Sequence, residues 1–224
     1  MKKDFSVIAC ILDRSGSMGS VVDDSIGGFN TFLTEQKGEV GEAKMTMVLF
    51  NHEYNVVHDF VDIKKVKKLT TKTYVPAGTT ALLDAVGRTV DSLGDRLREM
   101  KENERPENVI VVILTDGQEN SSSDYSRRAI KEKIEHQQDK YNWSFVFLGA
   151  NQDAFAEAGA MGIRAQFTTG FMSDSYGTIG AYSTSSNAVK SIRRGKGKQV
   201  NLHDMMSDYE SKRNDKDTDS SKVK

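Results

Sequence analysis

A single cysteine, Cys10, is present among the 224 residues, so the chain cannot close an internal disulfide, and a small fold stapled by disulfides is excluded. Charge of one sign is also lacking. Lys and Arg number 31 against 32 Asp and Glu, a formal net charge of −1, which removes the simplest electrostatic argument for nucleic-acid or membrane-surface binding. No apolar run approaches the ~20 residues that a spanning helix needs. Met1-Lys2-Lys3-Asp4-Phe5 begins like a signal peptide, but the apolar stretch from Phe5 to Leu12 runs into Asp13 and Arg14 without a small-residue cleavage pattern. The expectation is a cytoplasmic protein, and the acceptor-like triplets at Asn120 and Asn142 are therefore discounted. Internal repeats are absent.

What the sequence has is alternation. Apolar runs that read as buried strands alternate with segments of helical period, the pattern of a mainly parallel sheet covered by helices on both faces. Phe5 to Leu12 is the first strand. Val22, Ile26, Phe29 and Leu33 then recur at spacings of three and four, predicting a helix from about Ser20 to Gln36 with Gly38 as its left-handed cap. Ala43 to Phe50 and Tyr54 to Val61 are separated by only three residues, too few for a crossover helix, so this pair is expected to be an antiparallel hairpin at one sheet edge. Leu82, Val86, Val90, Leu93, Leu97 and Met100 mark the longest amphipathic helix, with Pro106 as its limit. Val109 to Leu114 is a six-residue apolar run suited to mid-sheet. Further segments follow: a helix at Tyr125 to Lys140, a strand at Trp143 to Leu148, a helix at Asp153 to Met161, a strand at Gln166 to Thr169 and a helix at Ser175 to Ile192. The fold class is α/β, Rossmann-like, with one antiparallel edge strand.

Domain organisation follows from a change of composition. Residues 1–194 form one domain; 195–224 are rich in Gly, Lys, Asp, Ser and Asn, with Val200, Leu202, Met205 and Met206 as the main apolar surface. Such a stretch offers little burial against its ordering entropy, so a mobile tail with one short helix near Asp204 to Ser211 is expected.

Three segments carry chemistry. The first strand ends in Asp13-Arg14-Ser15-Gly16-Ser17, the central strand in Thr115-Asp116-Gly117, and Pro76-Ala77-Gly78-Thr79-Thr80 stands just ahead of the long helix. Ligands of open parallel sheets bind outside the carboxyl ends of the strands, so the three loops are expected to meet at one edge. Two Asp, two Ser and a Thr form an all-oxygen set, which suits a hard cation such as Mg²⁺ and not zinc or copper. By residue type either Thr79 or Thr80 could serve. A cation near the helix that follows Ser17 opposes the positive end of its dipole, a term of ~0.3–1 kcal/mol that the two carboxylates must offset.

Asp13-x-Ser15-x-Ser17, Gly78-Thr79-Thr80 and Thr115-Asp116-Gly117 together resemble the metal-ion-dependent adhesion site of von Willebrand factor A (VWA) domains, over about residues 5–192. The resemblance implies that Asp13, Ser15, Ser17, Asp116 and one Thr hold the metal, Mg²⁺ foremost with Mn²⁺ or Ca²⁺ as substitutes, and that a partner protein's carboxylate fills the open position. The family pattern places Ala five residues after the ligating Thr with an aliphatic residue between; Thr80, Leu82 and Ala85 satisfy it, which selects Thr80. The segment Phe145 to Phe155, continuing to Ile163, is similar to small stand-alone A-domain proteins of bacteria and their phages. The implied function is a non-catalytic, Mg²⁺-dependent protein-binding module.

Other readings carry less support. A metal-dependent phosphohydrolase with Asp13 as nucleophile needs an acidic group two residues later, where Ser15 stands. An assembly scaffold would use the tail, with Asp204, Asp208 or Glu210 entering a neighbour's metal site. His52, His58, His136 and His203 are scattered and receive no role, Cys10 reads as a core residue, and Gly195-Lys196-Gly197-Lys198 lacks the spacing of a phosphate-binding loop.

Overall fold

The computed structural model of the chain describes residues 1–150 and 153–220, with side chains described through residue 212. Asn151 and Gln152, within the segment similar to small A-domain proteins, and 221–224 of the tail lie outside the described residues. Six strands run in the spatial order β3-β2-β1-β4-β5-β6. They are β1 (Lys2–Asp13), β2 (Glu42–Phe50), β3 (Tyr54–Asp62), β4 (Pro106–Thr115), β5 (Ser144–Ala150) and β6 (Thr168–Phe171). All neighbours are parallel except β2 and β3, the antiparallel edge pair predicted from their three-residue connection.

The apolar runs lie where two-sided burial is greatest. Ile8, Cys10 and Leu12 of β1 join Ile110, Val112 and Leu114 of β4 on one face, while Val7, Ala9, Ile11, Val109, Val111 and Ile113 fill the other. This is the two-residue period of a strand covered on both sides. The first face is closed by α1 (Val22–Gly38) and α5 (Ser175–Arg193), the second by α2 (Leu82–Glu99), α3 (Arg127–Tyr141) and α4 (Ala154–Ala160). Cys10 is 1% exposed, and burial pushes its thiol up to about 12. A thiol-specific chromogenic reagent at pH 8 should leave Cys10 of the native protein unmodified and react fully once denaturant is added. Rapid labelling of the native chain would contradict this placement.

Two expectations are corrected. Gly38 remains inside α1, and the left-handed residue of that turn is Gly41, with φ of +88°. The segment after Arg194 is not uniformly a loose tail. Val200, Leu202 and Met206 are buried in the first core face, and α6 (Leu202–Ser220) is far longer than the short helix expected. Gly180 of α5 makes this possible, since a Cβ there would stand 2.7 Å from the Tyr209 ring. Tyr176 donates its hydroxyl to the Tyr209 carbonyl at 2.9 Å, fastening the same contact. Three buried apolar side chains offset ordering that composition alone suggested was unfavourable.

Among the described residues no helix is long and apolar enough to cross a membrane.

Candidate metal centre

Strand order reverses between β1 and β4, and a sheet of this kind opens its ligand crevice at that point. Asp13 closes β1 and Asp116 follows the last residue of β4, so the two carboxylates emerge side by side. Asp13 is fully buried. Its Oδ1 accepts the Ser15 backbone N–H at 2.6 Å, and its Oδ2 accepts the Thr115 hydroxyl at 2.5 Å. Burial raises the carboxyl above its ordinary range, while these hydrogen bonds from Thr115 and Ser15 pull it back. Among the described residues no Lys, Arg or His forms an ion pair with Asp13 or Asp116. A buried carboxylate without a cationic side chain is costly, a cost that either a proton or a cation at this edge would relieve.

The hydroxyls are arranged accordingly. Ser17 donates its one hydrogen to Asp116 Oδ1 at 2.6 Å and so is the acceptor in its contact with Ser15, which leaves one of its two lone pairs open. Ser15 and Ser17 Oγ atoms lie 3.1 Å apart, close to the ~2.9 Å expected between adjacent ligands of an octahedral Mg²⁺ with bonds of ~2.0–2.1 Å. Gly117 locates the remaining donors. A Cβ at this residue would stand 2.7 Å from Thr80 Oγ1 and 3.5 Å from both Asp13 Oδ2 and Ser15 Oγ, so these three oxygens surround one small space. Thr80 is buried and Thr79 exposed, and the Thr80 hydroxyl borders the same space beside Gly117 as Asp13 Oδ2 and Ser15 Oγ.

The loop bearing Thr80 is held from two sides. Toward β1, Ala77 N donates to Arg14 O at 2.9 Å and Gly16 N to Gly78 O at 3.0 Å. Gly78 has φ of +74°, and a Cβ there would meet the His52 ring at 2.1 Å, so both backbone conformation and space require glycine. Asn51 adds a clamp, giving its side-chain N–H to Ala77 O at 2.6 Å while its carbonyl accepts Ala81 N at 2.8 Å. Toward β4, Asn120 Oδ1 accepts Thr80 N at 3.0 Å and Asn120 N donates to Thr80 O at 3.1 Å.

Helix α2 begins beside this loop without a side-chain cap of its own. Glu119 Oε2 accepts Leu83 N at 2.9 Å and Ser122 Oγ accepts Asp84 N at 3.1 Å, so the loop after β4 supplies the caps. Asp84 in turn accepts the backbone N–H groups of Ser123, Asp124 and Tyr125 at 2.9, 3.0 and 2.9 Å. The two loops are thereby locked together. Sequence patterns singled out Thr115 and Gly117 as parts of a motif and gave no site role to Asn51, Tyr74, Glu119, Asn120 and Ser173. Tyr74 donates to the Asp13 carbonyl at 2.5 Å, and Ser173 donates to Asp116 Oδ2 at 3.3 Å.

The von Willebrand factor type A domain profile matches residues 8–184. The chain belongs to this family. Solved A domains repeat the architecture at low identity, and the likeness shows the fold. A von Willebrand factor type A protein from Catenulispora acidiphila superposes with a TM-score of 0.54 at 14% identity, covering 84% of this chain and 43% of that one. Manganese-loaded Plasmodium vivax TRAP protein gives 0.54 at 18%, covering 77% and 70%. Proximal thread matrix protein 1 of the mussel byssus, with a zinc-occupied MIDAS motif, gives 0.54 at 15%, covering 85% and 47%. The chain thus spans under half the length of the Catenulispora and mussel proteins. No curated protein sequence matches it.

Among the described residues no group of three or more His, Cys, Asp or Glu could hold a metal ion.

Proposed function

We propose that this A domain is a Mg²⁺-dependent protein-binding module whose metal is held by Asp13, Ser15, Ser17, Thr80 and Asp116 and completes its shell with a carboxylate from a partner protein. The observation that carries the reading is the convergence of Thr80 Oγ1, Asp13 Oδ2 and Ser15 Oγ on the space beside Gly117, next to the Ser15–Ser17 hydroxyl pair. Hydroxyl and carboxylate oxygens favour a hard cation, and Mg²⁺ keeps part of its shell for outside ligands. Mn²⁺ or Ca²⁺ would substitute; the manganese- and zinc-bearing A domains support a divalent occupant. Both carboxylates have each oxygen engaged by a protein donor, so they act by charge and by orienting ligands or waters around the ion.

Catalysis is not part of the proposal. A hydrolase of the kind that uses a strand-end aspartate needs a proton-transferring group two residues on, and Ser15 there is bonded to Ser17. Among the described residues, the hydrogen bonds above set no side chain at this edge for that exchange. The assembly-scaffold reading loses its free tail in part, since Val200, Leu202 and Met206 are core residues.

The test is retention of a partner on immobilised protein with Mg²⁺, with chelator, and with Asp13→Ala as the blank. Binding is expected only in the first arm. Retention that survives chelator and Asp13→Ala alike, on chains that remain folded, would overturn the reading.

A further inference from the structure

The geometry points to Ser173 as a positioning residue for the metal centre, delivered by a fourth loop that the three sequence motifs do not contain; this rests on the metal-binding reading above. Asp116 lies just past β4, half-buried, and the plane of an aspartate carboxylate is set only weakly by its own torsional preference. One hydrogen bond cannot fix that plane. Two can, one on each oxygen, and this is the arrangement present: Ser17 Oγ donates to Oδ1 at 2.6 Å and Ser173 Oγ to Oδ2 at 3.3 Å. Ser17 is itself a proposed ligand, so Ser173 is the one of the two donors that stands outside the metal's shell.

The turn that carries Ser173 is built to hold it. Asp174 caps α5 by accepting Gly177 N at 2.7 Å, and Ser175 donates to Asp24 of α1 at 2.7 Å. Three consecutive residues therefore bind three different elements: the end of β4, the start of α5 and the start of α1. The hydroxyl is presented to Asp116 from a frame fixed at both sides. Its 3.3 Å separation is long for an O–H···O contact, so it orients the carboxylate more weakly than the 2.6 Å bond from Ser17 does. Groups that orient a metal-binding residue in this way typically account for 10–100-fold in metal affinity.

Calorimetric titration of Mg²⁺ into the wild type, Ser173→Ala, Ser173→Thr and Ser175→Ala tests the assignment, with the melting temperature of each metal-free chain recorded beside it. Ser173→Ala should bind Mg²⁺ at least tenfold more weakly, Ser173→Thr should restore affinity, and Ser175→Ala, which loosens one side of the frame but keeps the Ser173 hydroxyl, should weaken binding less than Ser173→Ala does. Wild-type binding with Ser173→Ala unchanged would overturn the role of Ser173 and leave the metal site standing. Equal weakening by Ser173→Ala and Ser175→Ala, or a loss that Ser173→Thr does not rescue, would also overturn it, since turn order and not the hydrogen bond would then be responsible. Absence of Mg²⁺ binding in the wild type would overturn the metal reading itself.

Discussion

Asp13→Ala is expected to eliminate the stabilisation that Mg²⁺ confers while leaving the chain folded. At Mg²⁺ a hundred times its dissociation constant, a native-state site adds about 2.7 kcal/mol to unfolding free energy, and that increment should vanish. The metal-free variant should itself be weakened, because Asp13 accepts the Ser15 N–H and the Thr115 hydroxyl in a fully buried position. Each orphaned donor costs ~1–3 kcal/mol, against a total stability of ~5–15 kcal/mol for an ordinary domain. Relief of the buried negative charge works the other way, since burial is the largest influence on this carboxyl and disfavours its ionised form. Asp13→Asn separates the two effects. It keeps the shape, removes the charge and should lose metal with a smaller change in metal-free melting temperature. A full Mg²⁺-dependent rise in melting temperature for either variant would remove Asp13 from the site.

Legibility of the fold followed burial. β1 and β4 were readable because both faces of each are covered, and an unbroken apolar run has no other stable place. The hairpin was readable from a connection too short for anything else. α6 was misjudged because its contribution to the core rests on three side chains and on the space that Gly180 leaves for Tyr209, a fact of tertiary packing invisible in local composition. Gly38 was misread for a similar reason: the helix continues through it, and the turn takes its left-handed residue at Gly41.

The candidate site divides along the same line. That Asp13 and Asp116 stand at the same sheet edge was legible from strand ends alone, whereas the choice of Thr80 over Thr79 as a candidate ligand came from a family pattern. Asn51, Asn120 and Ser173 had no sequence signal, because each acts on a loop far away in the chain: Asn51 on Ala77, Asn120 on Thr80 and Ser173 on Asp116. Short-range spacing encodes groups that share a loop. It does not encode what holds one loop against another.

Gly117→Ala should abolish Mg²⁺ binding with little loss of structure, a sharper result than removal of any single hydroxyl. The added methyl would stand 2.7 Å from Thr80 Oγ1, nearer than non-bonded atoms tolerate, and 3.5 Å from Asp13 Oδ2 and Ser15 Oγ. Thr80 must rotate or its loop must withdraw, and the loop is pinned by Asn51, Asn120, Arg14 and Gly16. Rotation of the side chain is the cheaper response, and it carries the hydroxyl away from the other donors. The methyl also occupies the space at which Thr80, Asp13 and Ser15 meet, so metal is excluded by volume as well as by loss of a ligand. Gly117 has no positive φ, and alanine there imposes no backbone strain of the kind Gly78 would suffer. Metal-free melting temperature should therefore move by only a few degrees, while the calorimetric Mg²⁺ signal disappears. Thr80→Ser is the companion measurement: it keeps the hydroxyl, adds no bulk and should retain Mg²⁺ within about tenfold, a loss of about 1.4 kcal/mol at most. If Gly117→Ala bound Mg²⁺ as wild type does, the oxygens around that position would not be where the ion sits.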